Sequence, residues 1–378
     1  MSTRNVYISR RNFIKAGAVA AAMASLSVPA MAASAGEENC LWSKITPRRS
    51  TQYGPVVGLD QGESLVWYGI PYGAAPVGEL RWQAPQDPAV WTEAKDCTAP
   101  SEVAYQYGSG AIGTEDCLKL DVYTTPNAHK LPVLVFIHGG NNQTGNTKEI
   151  LGSELVVRDN CVFVTLDYRL GLFGFNCLPA LCRGSDDTGN FTLLDIAKAL
   201  DWVKENIAQF GGDADNITIS GFSAGGRDVM AMLTSPLFAG RFQKAIAFSG
   251  GMTIADEAAS VSQIAWAIAP LAVEDGLFAD TAAAKAWLMT DGEDVRDWLY
   301  SLDSARLCPL MSNAGIRMSV FPHLYGDGVV LPKEGFATTQ YNNVPLLMLT
   351  GSTEFSMFAA WDAYFGSAEM KAYPAAET

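Results

Sequence analysis

Apolar positions along the chain fall into two alternating rhythms. Unbroken apolar runs occur at residues 132–137 (PVLVFI), 161–166 (CVFVTL) and 344–349 (VPLLML), with shorter ones at 217–220 and 245–248. Runs of this length without polar alternation mark strands buried on both faces. Between the 161–166 and 217–220 runs, Ile196, Leu200, Val203 and Ile207 recur at helical spacing, and Gly211-Gly212 ends the pattern. Strands alternating with helices predict an α/β fold, a mostly parallel central sheet with helices on both faces. Residues 255–305 depart from this rhythm. They are rich in alanine and carry Trp266, Trp287 and Trp298 in short helical patterns. They predict a helical insertion between two core strands, which either packs over a site or simply covers the sheet. No internal repeat, low-complexity tract or linker divides the chain.

The first 32 residues follow other rules. Arg4, Arg10, Arg11 and Lys15 surround the start of a mild apolar run over residues 16–28, and Ala30-Met31-Ala32 offers small residues to a signal peptidase. Ser9-Arg10-Arg11-Asn12-Phe13-Ile14-Lys15 is similar to a twin-arginine export signal. The apolar run is shorter than the roughly 20 residues of a membrane span, so a cleaved leader is expected rather than a stable membrane anchor. The folded domain is then residues 33–378, exported to the periplasm or beyond the cell.

Composition narrows the function classes. The 378 residues are 48% hydrophobic, with 26 basic and 40 acidic side chains and a net charge of −14. So acidic a chain is unsuited to phosphate backbones, which sets nucleic acid aside as a partner. Seven cysteines suit an oxidising compartment, but the core is too large to need a disulfide scaffold. Cys97 with Cys117, and Cys177 with Cys182, have loop-closing separations, while Glu38-Asn39 before Cys40 is a poor context for lipid attachment. No Cys-x-x-Cys pair or histidine cluster gives metal-ligand spacing, so neither metal nor cofactor is expected. The sequence does not assign an oligomeric state.

Gly221-Phe222-Ser223-Ala224-Gly225 is a Gly-x-Ser-x-Gly sequence. In a chain with 35 glycines the pattern alone is weak, but its setting is not. It follows the apolar run 217–220 and precedes a helical run over residues 226–233. That is the strand–turn–helix context of a nucleophile elbow, which predicts an α/β-hydrolase fold with Ser223 as nucleophile. The stretch His138-Gly139-Gly140-Asn141-Asn142 leaves the run 132–137 and resembles the glycine loop that supplies oxyanion donors in lipases and esterases. The backbone N–H groups of Gly140, Asn141 and Ala224 are the expected oxyanion hole.

Further stretches resemble the type B carboxylesterases, the family that includes cholinesterases and bacterial para-nitrobenzyl esterases. They are Gly69-Ile-Pro-Tyr-Gly73, Pro76-Val-Gly-Glu-Leu-Arg-Trp82, Glu115-Asp-Cys-Leu-Lys-Leu-Asp-Val-Tyr123, Asp167-Tyr-Arg-Leu-Gly171, Gly189-Asn-Phe191, Phe210-Gly-Gly-Asp213 and Phe248-Ser-Gly250. The likeness runs in family order from about residue 45 to about 360. It implies a small-molecule carboxylic ester as substrate, an acyl-enzyme on Ser223, and a disulfide between Cys97 and Cys117. Two departures stand out: Phe222 replaces a glutamate common before the serine, and Asn141 replaces a glycine. Both count against choline specificity.

The serine of such a site needs a histidine, and the histidine a carboxylate, in the chain order Ser, Asp or Glu, His. Glu354 in Gly351-Ser-Thr-Glu-Phe355 resembles the family's triad glutamate, although Asp-Glu-Gly there is Thr353-Glu354-Phe355 here. The three histidines do not fit. His138 belongs to the oxyanion loop, His129 lies in a polar turn, and His323 precedes Glu354, beside a Gly326-Asp-Gly328 segment similar to a structural loop of the family. The family's base lies many tens of residues beyond the glutamate. The expectation is therefore a domain incomplete at its C-terminus, through truncation, fragmentation or degeneration, with little activity alone. Two other readings stay open: a non-catalytic binding protein on this fold, and a serine hydrolase acting on amides or lactones or transferring acyl groups.

Overall fold

The computed structural model describes residues 46–354, apart from 109, 183, 185–187 and 312–322. The export segment, Cys40 and Phe355 lie outside the described residues.

Eight strands form the central sheet: β1 (Leu59–Asp60), β2 (Leu65–Pro71), β3 (Lys119–Thr124), β4 (Leu131–Ile137), β5 (Val162–Leu166), β6 (Gly212–Phe222), β7 (Lys244–Phe248) and β8 (Leu346–Leu349). Their spatial order is β1-β2-β3-β5-β4-β6-β7-β8. The five strands read from apolar runs are β4 to β8, and they pair parallel throughout. β1, β2 and β3 add an antiparallel flank, so the sheet is more mixed than the apolar runs suggest. The physical reason lies in those strands. β3 places Lys119 and Asp121 within its run, and Gly69 interrupts that of β2 where the strand bulges between Trp67 and Ile70.

Both faces of the sheet are covered. Val133, Val135 and Ile137 of β4 join a large core with Ile196, Leu200 and Val203 of helix α2 (Phe191–Asn206). On the other face Phe136 packs with Phe163, Tyr123 and Val156, the last from helix α1 (Ser153–Asp159). α2 ends in a tight turn at Ile207–Phe210, and Gly211 closes it at φ 86°, a left-handed conformation natural to glycine. The loop after β5 is pinned by a buried pair, Arg169 and Asp195 of α2. The guanidinium donates to both carboxylate oxygens, at 2.8 and 2.6 Å. α3 (Ala224–Thr234) joins β6 to β7. Between β7 and β8 lie α4 (Glu257–Glu274), α5 (Thr281–Leu288) and α6 (Glu293–Ser301). Trp287 and Trp298 meet there at 5.3 Å between ring centroids, whereas Trp266 is exposed. Asp327 in the Gly326–Gly328 turn accepts the amides of Val329, Val330 and Leu331 at 2.8–2.9 Å, a structural role.

Candidate active site

β6 ends at Phe222 and α3 begins at Ala224, so Ser223 alone turns the chain. Its backbone sits at φ 55°, ψ −114°. A non-glycine residue holds such a conformation only when its surroundings over-determine it, at a cost of about 1–3 kcal/mol. The surroundings here are close-packed backbone. A Cβ on Gly221 would lie 2.2 Å from Gly225 O, and one on Gly225 would lie 2.1 Å from Ile137 O. The Ser223 N–H donates to Phe248 O at 2.9 Å, which ties the turn to β7. Ser223 itself is half-buried, at the N-terminus of an 11-residue helix whose dipole favours negative charge.

The glycine loop leaves β4 directly against this turn. A Cβ on Gly139 would lie 3.3 Å from the Ser223 Cβ. Gly140, Asn141 and Asn142 follow with three successive positive φ values, 93°, 57° and 55°. The result is a tight left-handed turn in which the Gln143 and Thr144 amides both donate to Gly140 O at 3.0 Å. A Cβ on Gly140 would meet Thr144 O at 2.1 Å, so this position excludes a side chain. Asparagine tolerates the left-handed region better than most residues, which is how Asn141 can stand in for a glycine. Gly140, Asn141 and Ala224 are thus carried to the same end of the sheet as Ser223. Ala224 opens α3, where the first amides have no intrahelical acceptor.

Among the described residues, no histidine bonds to the Ser223 hydroxyl. His129 precedes β4 and lies at the opposite end of the parallel strands, since Leu131 pairs with Gly212 and Ile137 with Gly221. Seven strand residues, roughly 20 Å, separate the two ends. His138 is on the correct end but fully buried. Its ring stacks on Tyr168 with centroids 4.3 Å apart, and its Nδ1 lies 2.9 Å from Gly139 O. Burial pushes its pKa down to about 4, so at neutral pH it is an uncharged pillar of the loop. His323 is buried against Phe175, and its Nε2 receives an N–H from Arg227. That lone pair is occupied.

Glu354 lies in an exposed turn just after β8. Its Oε1 accepts the Gly351 amide at 2.5 Å and the Thr350 hydroxyl at 3.1 Å. The Gly351 amide first, and then the Ser249 hydroxyl, hold its pKa below the usual glutamate value. Ser249 follows Phe248, the residue that accepts the Ser223 N–H, so Glu354 and Ser223 are gathered at one end of neighbouring strands. The part played by Ser249 was hidden in the Phe248-Ser-Gly250 stretch. Phe222 is 46% exposed and borders the glycine loop, its ring 3.5 Å from where a Gly139 Cβ would stand.

The structure corrects one expectation. Cys97 and Cys117 are both free and buried, not joined. Burial pushes both thiols above the usual cysteine range. Among the described residues, no three His, Cys, Asp or Glu side chains gather as a metal site, and no helix is long and apolar enough to cross a membrane.

Comparison with known proteins joins these features. Residues 46–371 match the Carboxylesterase family, and residues 8–27 match the twin-arginine translocation signal, so the chain carries an export signal. The para-nitrobenzyl esterase of Bacillus subtilis (strain 168) is 41% identical over 238 residues, 60% of this chain and 48% of that protein. The fumonisin B1 esterase of Sphingopyxis macrogoltabida is 39% identical over 216 residues, 54% of this chain and 40% of that one. The chain spans about half the length of the curated relatives it matches. Among solved structures, a PNB esterase superposes with a TM-score of 0.69 at 34% identity, covering 82% of this chain and 64% of its own. A Geobacillus stearothermophilus carboxylesterase gives 0.72 at 29% identity, covering 85% and 67%. With a serine elbow, a glycine loop and an α/β-hydrolase sheet in this arrangement, the chain belongs to the carboxylesterase family.

Proposed function

We propose that this chain carries the nucleophile half of an exported carboxylic ester hydrolase that works through a serine acyl-enzyme. The strained left-handed backbone of Ser223 is the observation that carries this reading, since a residue held at that cost between β6 and α3 has no evident structural purpose. The Ser223 Oγ bonds to the ester carbonyl carbon while its proton passes to a base. Gly140, Asn141 and Ala224 N–H groups receive the oxyanion, and collapse expels the alcohol, which takes up that proton. Water then attacks the acyl-serine by the same route and releases the acid. Glu354 orients the base. None of the three histidines is suited to that role, so the base comes from sequence that follows Glu354 in a longer form of the chain. Without it, residual catalysis is only about 10³–10⁴-fold over water.

The absence of a histidine bonded to Ser223 among the described residues favours one second reading, a binding protein that keeps the fold without turnover. The test is p-nitrophenyl butyrate hydrolysis by the 378-residue chain, by Ser223→Ala, and by a form extended through the downstream reading frame. Turnover in the extended form that Ser223→Ala removes supports the esterase. Folded but inactive protein in every form supports the binding reading. Turnover by the short chain, lost in Ser223→Ala, overturns the account of the base and directs attention to His323. Amide and lactone substrates offered in parallel separate the remaining hydrolase classes.

A further inference from the structure

Asp228 lies on α3, five residues beyond Ser223, and is fully buried. Its Oδ1 accepts a 2.8 Å hydrogen bond from Nδ2 of Asn142, which is also fully buried. Asn142 is the last of the three left-handed residues of the glycine loop. Two of them carry side chains, and each such residue costs about 1–3 kcal/mol unless its neighbours hold it in place. Asn142 O accepts the Gly171 amide at 2.7 Å, and the Tyr168 hydroxyl donates to His138 O at 2.9 Å. The tie from Asn142 to Asp228 fastens the loop to the helix that starts at the nucleophile. The carboxyl is held there at a cost, because its Oδ2 is buried with no hydrogen-bond partner among the described residues.

We infer that Asp228 is a positioning residue: by clamping Asn142 it fixes the left-handed turn and with it the direction of the Gly140 and Asn141 N–H groups. This rests on the reading of that loop as the oxyanion loop. Two features of the carboxyl suit the role. Burial raises its pKa to about 7, so near neutral pH the carboxyl carries less negative charge than an ordinary aspartate would beside the point where the substrate oxygen gains charge. Its acceptor oxygen also fixes which way round the Asn142 amide stands, leaving Oδ1 towards the Tyr168 hydroxyl at 3.4 Å.

Hydrogen exchange of the 378-residue chain, read by mass spectrometry, tests the clamp without requiring turnover. The reporters are the amides of Gln143, Thr144 and Gly171, which bond to loop carbonyls. Asp228→Ala and Asn142→Ala should each speed their exchange by about tenfold or more, and the double variant should add nothing further, as expected for two partners in one contact. Asp228→Asn keeps an acceptor oxygen and should restore protection. Wild-type exchange in Asn142→Ala, with α3 peptides unchanged, overturns the inference, and this variant decides the matter if Asp228→Ala does not fold. In an active extended form, Asp228→Ala should lower kcat about 10–100-fold with KM nearly unchanged, and Asp228→Asn should recover it. If no form turns over ester, the esterase reading fails, while the exchange result still decides whether Asp228 holds the loop.

Discussion

At the end of β6 the backbone leaves no room for one more carbon at Gly221 or Gly225, whereas at the end of β8 four consecutive apolar side chains lie open to solvent. Leu346, Leu347, Met348 and Leu349 are 42–57% exposed. β6 has a strand on either side; among the described residues β8 pairs only with β7. The proposed nucleophile is therefore positioned by packing that reaches through the whole sheet. Glu354 is positioned by its own turn and by Ser249. One half of the proposed triad is fixed by the fold, and the other hangs on an edge strand. Each prediction below acts on one side of that contrast.

The largest effect is expected from Gly225→Ala. The new Cβ would collide with backbone, Ile137 O at 2.1 Å, which no rotamer can relieve. A cost of about 4 kcal/mol or more in urea unfolding is expected, with loss of any Ser223-dependent activity. Gly276→Ala is the control, since its φ is 75° but nothing lies within 4 Å of the new Cβ. It should cost only the left-handed penalty, about 1–2 kcal/mol. Equal costs at the two sites would mean that the backbone at Gly225 gives way to the new Cβ and that packing does not fix the elbow.

Glu354→Gln comes next and should separate chemistry from stability. The side chain is exposed, so unfolding should change by no more than about 0.5 kcal/mol. Turnover of an active extended form should fall roughly 10²-fold or more, because a neutral amide orients a histidine base poorly. A stability loss without a rate loss would make Glu354 a structural turn residue.

The same contrast explains how much the sequence discloses. β5 is buried at every position, so its apolar run reads directly as a doubly covered strand. The elbow is legible in part: the contact that demands Gly221 is with Gly225, four residues on, whereas the one that demands Gly225 is with Ile137, distant in sequence. β3 is less legible because Asp121, a buried carboxylate, interrupts its apolar pattern and makes its hydrogen bond to Gly69 rather than to a neighbour in sequence. The clamp from Asn142 to Asp228 joins residues 86 apart, and only folding brings them together. Two local hints point that way: an Asn-Asn pair after the glycines, and an Arg227-Asp228 pair within a largely apolar helix. The Cys97–Cys117 bond, inferred from family likeness, is not formed, since both thiols are free.

A smaller effect concerns pH. Asp228 has a raised pKa of about 7 in the folded chain against 3.8 for an ordinary aspartate. Between those values the folded state holds the proton more firmly than the unfolded state, so this group's contribution is greatest near pH 4 and declines as pH rises to 7. His138 has the opposite sense, since its pKa falls to about 4 and acidification from 6.5 removes stability. A comparison with Asp228→Asn cancels the histidine, which both proteins share. The stability of the wild type relative to the variant should decline by about 1–3 kcal/mol from pH 4 to 7. A flat difference would mean that Asp228 is ionised in the fold.

The smallest effect bears on β8 itself. Leu166 of β5 is fully buried and Leu347 of β8 is 57% exposed, so the same truncation samples the two ends of the contrast. Leu166→Ala should cost about 2–5 kcal/mol, the range for leucines whose cavity cannot collapse. Leu347→Ala should cost at most about 0.5 kcal/mol, because little apolar area leaves water there on folding. Measured on the 378-residue chain, a Leu347 cost near that of Leu166 would mean that something covers β8 in solution. The same pair measured in an extended form supplies the complement. If the Leu347 cost rises there while the Leu166 cost stays fixed, the added sequence packs on β8 and brings the edge bearing Glu354 to the rigidity that β6 already gives Ser223.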